Sequence, residues 1–515
     1  MRRGRRGLLA ASALLLVAVW LGPPRHVAAD VGVTSGDWPT YGGGDARTFH
    51  GRTALDSTSV RTLAPAWFFQ TGDAVTAQPT VVGGTVYVGS WDGWFYAIDA
   101  ATGRLRWKHQ LDRQPAVSPV PGHHGPGDIT SDGGMVTSAA TFIARAPCRV
   151  QGGTADAVVF GGGYTLYSLR ASDGRECWKR AYPGTGVNGA ADPNRDGTRI
   201  FSTPAVVGGT VLFSPDADGS KGYRGYLVGA DLSSGQPRWV TELDVDTGGR
   251  ILDDGCGNVW ASPTIVPSHG VEVIGVADCN YRGTAPNNER VLAVDIATGR
   301  IVWRFVPPRL DPGHGGSDPP CDWDFGATAN YDPVGDARGP FLGVAGKDGT
   351  YYRLDLAGHL VWSTNVVFGG FAGGFIASTA YDRGAGRVYG ATALGDFGRF
   401  EAAGALGCKP VTNPRDQLVQ EPSVHAFVAA GGAVAWQGRL SQSFAPTTTA
   451  GGLVFVCDGL PPGRLDIRDS ATGTVLNTVP LPANCDSGAV PWGNALILGV
   501  GSSEQWSPSN SATGS

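Results

Sequence analysis

The sequence predicts an all-β fold, an eight-bladed β-propeller with a tryptophan-docking repeat, and three observations lead there. A turn-centred repeat recurs down the chain. Glycine and proline are abundant, at 79 and 35 of 515 residues, which means short strands and many turns. Finally, no long stretch carries helical apolar periodicity. Length alone suggests two to four domains, but a repeat running through most of the chain argues for one large domain.

The clearest repeat unit is Tyr96–Trp107 (YAIDAATGRLRW), and it recurs at Leu227–Trp239 (LVGADLSSGQPRW) and Val291–Trp303 (VLAVDIATGRIVW). Weaker copies run from Leu166 to Trp178, Tyr352 to Trp362 and His425 to Trp436, and a last copy from Leu465 keeps Asp469, Thr472 and Gly473 but ends in Asn477. The residues before each Asp alternate as a half-buried strand does. Asp-x-x-Thr-Gly is a tight turn, with Asp capping it through its side chain and Gly taking positive φ. The following strand ends in a Trp, whose flat ring is expected to lock one sheet to the next. A strand, a Gly-Gly turn and a second strand precede the unit, as at Gln78 to Gly89. Each repeat therefore holds four strands, and Trp spacings of 40 to 74 residues suit a four-stranded blade. The expected closure joins the strand ending at Trp67 with that around Ala495–Val500, so that the ring has no free edge.

The ends read differently. Arg2, Arg3, Arg5 and Arg6 precede an apolar run from Leu8 to Leu21, too short for a membrane span, and Val27-Ala28-Ala29 offers a cleavage site. Residues 1–29 are expected to be a signal peptide and 30–500 the propeller; 501–515 read as a disordered, polar tail. Arg5-Arg6-Gly7-Leu8-Leu9 also fits a twin-arginine signal as well as it fits an ordinary one. The expected location is secreted or extracytoplasmic, in the cell envelope, with no membrane span after cleavage. The formal net charge is −5, and loss of the five leader arginines takes it to about −10, which argues against nucleic acid as a partner. Eight cysteines in an exported chain suggest disulfides. Local spacing pairs Cys148 with Cys177, Cys256 with Cys279 and Cys457 with Cys485, leaving Cys321 and Cys408 for each other.

The repeat, with the opening Asp37–Gly42 (DWPTYG), resembles the PQQ (pyrroloquinoline quinone)-dependent alcohol dehydrogenases, nearest their polyvinyl-alcohol dehydrogenase branch, over about residues 36 to 500. The resemblance implies a site from four segments. Gly255–Trp260 (GCGNVW) is similar to the glycine-rich segment whose Trp forms the quinone floor, which makes Trp260 the floor. Gly275–Asp278 (GVAD) resembles the segment that supplies a calcium ligand, here Asp278. Asp322–Gly326 (DWDFG) is similar to the motif of the general base, which makes Asp324 catalytic and a second calcium ligand. Gly346–Gly349 (GKDG) puts Lys347 against the quinone oxygens. Arg224 matches the Arg of a fifth segment, Gly219–Leu227, where the family's calcium Glu position falls on Ser220 beside Lys221. Thr137 and Ser138 open an inner strand and place hydroxyls towards the cofactor. The resemblance thus implies an exported oxidoreductase that passes hydride from a small-molecule alcohol or polyol to PQQ, and electrons onward to a separate acceptor. Calcium is expected only if Ser220 is compensated. The alternative is a non-catalytic propeller scaffold that binds a protein or ligand.

Overall fold

The computed structural model describes residues 13–19, 36–112, 136, 138–148, 152–182, 199–216, 224–252, 256–277, 286–308, 323–367, 373–394, 423–440, 442–459 and 462–501. The fold is an all-β propeller. Seven four-stranded antiparallel sheets each come from one stretch of chain. Blade 1 holds Thr80–Val82, Thr85–Gly89, Trp94–Asp99 and Leu105–Gln110. Blades 2 and 3 begin at Thr141 and Ala205. Blade 4 runs from Thr264 to Phe305, blade 5 from Asn330 to Asn365, blade 6 from Ala380 to Gly438 and blade 7 from Thr448 to Pro480. The strand register in each is sequential, as a meander of short hairpins dictates.

An eighth four-stranded sheet, the closing sheet, is composite. Its order is Val490–Trp492, Ala495–Val500, Ala13–Val19, Leu63–Gln70. The two end segments expected to close the ring do share this sheet. They do not pair directly, however: Ala13–Val19 lies between them, antiparallel to both. This corrects the expectation that the strand ending at Trp67 and that around Ala495–Val500 pair with each other directly. The physical reason is that Ala495–Val500 is the last strand after its hairpin, so the sheet is one strand short of a full blade. An apolar, β-prone stretch satisfies the two exposed rows of backbone groups.

Between sheets, each repeat Trp donates its indole N–H to a carbonyl of the next sheet's turn. Trp67 donates to Ala100, Trp107 to Ala171, Trp178 to Leu232, Trp239 to Ile296, Trp303 to Leu356, Trp362 to Ala429 and Trp436 to Ser470. The turn glycine beneath is required twice over. At Gly299, φ is +74° and an added Cβ would fall 2.5 Å from the Trp239 ring. Where the Trp is lost, Asn477 Nδ2 donates to Val60 O and joins blade 7 to the 3-10 turn Ser59–Thr62 before the closing sheet.

Two inner layers cross the axis. The segment 38–54 runs around it and bonds seven of the eight sheets in sequence. Trp38 pairs with Val81, Pro39 accepts from Phe142, Asp45 from Ile265, Ala46 from Tyr331, Thr48 from Tyr381 and Phe49 from Thr449, and Ala54 donates to Gly493. Arg47 is fully buried in this plug and donates to Pro263 O, Thr40 Oγ1 and Tyr41 O; burial pushes its guanidinium down to about 10. Beside the plug lies a belt of hydroxyls. Ala139 N–H donates to Thr203 Oγ1, Thr203 N–H to Ser262 Oγ, Ser262 N–H to Thr328 Oγ1 and Thr328 N–H to Ser378 Oγ. From blade 2 to blade 6 one residue per blade thus holds its neighbour, and the residues just before the belt are fixed around the axis.

Two disulfides are formed as the spacing suggests, Cys148–Cys177 and Cys457–Cys485. Cys256 is disulfide-bonded; Cys279, Cys321 and Cys408 lie outside the described residues. Among the described residues no helix is long and apolar enough to cross a membrane.

Candidate active site

Three residues picked from sequence come together at the entries of blades 4 and 5. Trp260 stands two residues before Ser262 of the hydroxyl belt, and Gly326 stands two before Thr328, at the same position of the next blade. The Trp260 ring lies against that glycine: a Cβ on Gly326 would be 1.8 Å from it. No other residue leaves room for a flat ring to lie so low, so the Gly of DWDFG is part of the floor. Trp260 is half-buried.

Asp324 lies two residues before Gly326 and is buried. Its backbone carbonyl accepts from Lys347 N–H, and its Oδ2 accepts from Lys347 Nζ at 3.3 Å. The Lys347 ammonium also sits 6.0 Å from the centre of the Trp260 ring. The ion pair is almost wholly enclosed, with side-chain exposures of 4% and 8%. Removing one partner of such a pair strands a buried charge, so the two are energetically one unit. The Lys347 backbone is fixed by the tight turn Gly346–Gly349 and by Gly374, where an added Cβ would meet Lys347 O at 2.2 Å. Chemically, the cluster offers an aromatic face, a carboxylate able to accept a proton and a cation beside it, in a low-dielectric pocket.

The other candidates divide. Arg224 is buried and its Nε lies 3.3 Å from Glu242 Oε2. It is drawn towards the Trp260 segment, because Gly225 N–H donates to Cys256 O and an added Cβ at Gly225 would strike Gly257 O at 1.7 Å. Ser138 Oγ donates to Gly161 O and accepts from Gly161 N–H, which commits the hydroxyl to bracketing its own blade. Ser202 does the same with Ser214. Thr137, Asp278, Ser220 and Lys221 lie outside the described residues. Among the described residues no three His, Cys, Asp or Glu side chains converge as a metal site.

Residues 38–309, more than half of the chain, match the family model of the glucose/ethanol/alcohol dehydrogenase β-propeller domain, PQQ. The chain belongs to that family. Among curated proteins, the PQQ-family chain is 26% identical over 375 residues to polyvinylalcohol dehydrogenase of Sphingopyxis sp. (strain 113P3), covering 67% of itself and 52% of the relative. It is 24% identical over 384 residues to polyvinylalcohol dehydrogenase of Pseudomonas sp., covering 68% of itself and 54% of the relative. The chain thus spans about half the length of these relatives. Of solved structures, quinohemoprotein alcohol dehydrogenase from Comamonas testosteroni superposes with a TM-score of 0.63 at 19% identity, over 90% of this chain and 80% of that one, a likeness of fold.

Proposed function

We propose that this chain is a quinoprotein oxidoreductase that binds PQQ on the axis over Trp260 and oxidises an alcohol or polyol. The observation that carries the reading is the enclosed Lys347–Asp324 pair beside a half-buried Trp whose ring lies on a glycine floor. These residues fit a planar, anionic quinone. Trp260 supplies the stacking face, Gly326 the clearance beneath it, and Lys347 a positive charge for the quinone oxygens. PQQ held there would supply a two-electron acceptor for hydride. The chain's own part is to hold the substrate hydroxyl against Asp324, whose carboxylate accepts its proton as hydride leaves carbon. Lys347 orients that carboxylate, and the plug and belt exclude water from beneath. Calcium, if bound, would be held by Asp324 together with Asp278, which lies outside the described residues.

Electrons then pass to a separate acceptor. The ring works as eight blades, the composite sheet serving as the eighth. Residues 1–29 export the chain to an extracytoplasmic compartment. Cleavage after Ala29 would leave the closing sheet with its three other strands, and mass spectrometry of the exported protein reads this directly. A start at Asp30 supports the leader, whereas retention of residues 13–19 overturns it and makes that strand permanent. For the activity, the test is titration with PQQ, with and without calcium or a lanthanide, followed by dye reduction with a panel of alcohols. Stoichiometric binding with alcohol-dependent reduction supports the dehydrogenase; absence of binding overturns it in favour of the non-catalytic scaffold.

A further inference from the structure

The closing sheet carries an acid at the position that holds Trp260 in blade 4. The register follows from the reciprocal serine brackets. Ser138 with Gly161 and Ser202 with Ser214 mark, in blades 2 and 3, the residue just before the belt. In the closing sheet Ser487 Oγ donates to Gly499 O and accepts from Gly499 N–H at 2.7 Å, the same bracket. A second landmark agrees. The glycine that ends the second strand of blade 4, Gly275, is overlain by Phe325, where an added Cβ would be 2.0 Å from its carbonyl oxygen; Gly499 is overlain in the same way by Val75, at 2.4 Å. Ala261 is therefore the counterpart of Ser487, and the residue before each is Trp260 in one and Asp486 in the other.

In blades 4 and 5 this position turns inward to its neighbour, the Trp260 ring reaching across to Gly326, its counterpart in blade 5. Asp486 is partly exposed as a residue, yet its Oδ1 is sealed from solvent and has no hydrogen-bond partner among the described residues. Its backbone is held on both sides. Cys485 is tied to Cys457 and donates to Asp458 O, and Ser487 is bracketed by Gly499. Leaving a buried carboxyl oxygen unpaired costs about 1–3 kcal/mol or more, a cost that a ligand completing the bond would remove.

We propose that Asp486 is a cofactor-binding residue, whose carboxyl donates a hydrogen bond to an oxygen on the rim of the bound quinone, opposite blade 4. This rests on the quinoprotein reading above. Burial pushes the Asp486 carboxyl up to about 7, so near neutrality a large share carries the proton that such a bond needs. A charged carboxylate here would instead repel an anionic, carboxylate-bearing quinone.

The test uses the full chain and PQQ itself, with tryptophan quenching read for affinity and infrared difference spectra for the carboxyl. Wild type is expected to bind PQQ with a shift in a protonated-carboxyl band that is missing from Asp486→Leu. That variant matches the size but cannot hydrogen-bond, and it is expected to bind at least about tenfold more weakly, equivalent to about 1.4 kcal/mol. Asp486→Asn, which still donates, is expected to recover most of the affinity, a rescue that a merely structural role would not require. Melting curves of the variants separate lost binding from lost folding. Should Asp486→Leu fold and bind PQQ as wild type does, or the carboxyl band stay unmoved, the assignment is overturned while the quinoprotein reading stands. Should wild type fail to bind PQQ at all, the quinoprotein reading falls and this inference with it.

Discussion

Blades 4 and 5 and the closing sheet do the same architectural task by different means. Blades 4 and 5 are local: each is four consecutive strands, and Trp239 and Trp303 dock them onto their neighbours. The closing sheet is drawn from three stretches of chain, and its junction to blade 7 has an asparagine in place of the docking ring. Blades 4 and 5 also carry Trp260, Asp324 and Lys347, whereas the closing sheet offers Asp486. The difference teaches that a sheet built from one stretch of chain is locked to its neighbour by a docking ring, whereas the composite sheet is secured to blade 7 by covalent and single polar links. The Cys457–Cys485 bond spans that weaker junction.

Trp303→Ala removes a docking ring and leaves the Leu356 carbonyl without its donor, at an expected cost of about 3–4 kcal/mol, read by denaturant melts. Replacing both Cys457 and Cys485 with alanine frees a loop with a sequence separation of 28 and should cost about 2–3 kcal/mol, with the closing sheet becoming the first site of proteolysis. An equal proteolysis pattern before and after would mean that the junction does not depend on the bond.

Blade 4 holds its own buried acid, Glu272, which burial alone pushes up to about 8. Because the folded value lies above the unfolded one, its contribution is most favourable below about 4.5 and is lost as pH rises towards about 8. Glu272→Gln should therefore raise the Tm at pH 9 and leave it nearly unchanged at pH 4; a uniform shift at both would contradict the assignment. The smallest effect is expected at the weak junction. Asn477→Ala should cost about 1 kcal/mol, the value of one hydrogen bond, well short of Trp303→Ala.

What was legible in the sequence was local. Asp-x-x-Thr-Gly and the following Trp declare themselves because turn geometry and ring packing are set within a dozen residues. Trp260, Asp324 and Lys347 were found through short motifs that keep their spacing, and the structure brings them to one place. The plug at 38–54 was visible only as DWPTYG, since its partners are the inner strands of sheets hundreds of residues away. Ser138 looked available to a cofactor because nothing in sequence says that Gly161 uses both sides of its hydroxyl. Asp486 was invisible for the same reason. Its meaning is a register around the ring, and the closing sheet has no repeat motif to count from.

If Asp324 takes the substrate proton beside a bound quinone, Asp324→Asn must separate proton transfer from cofactor binding. The variant is expected to fold, to bind PQQ with near wild-type affinity and to lose about 10²–10⁴-fold in alcohol-dependent dye reduction. Turnover within a few-fold of wild type, at equal cofactor occupancy, would contradict it.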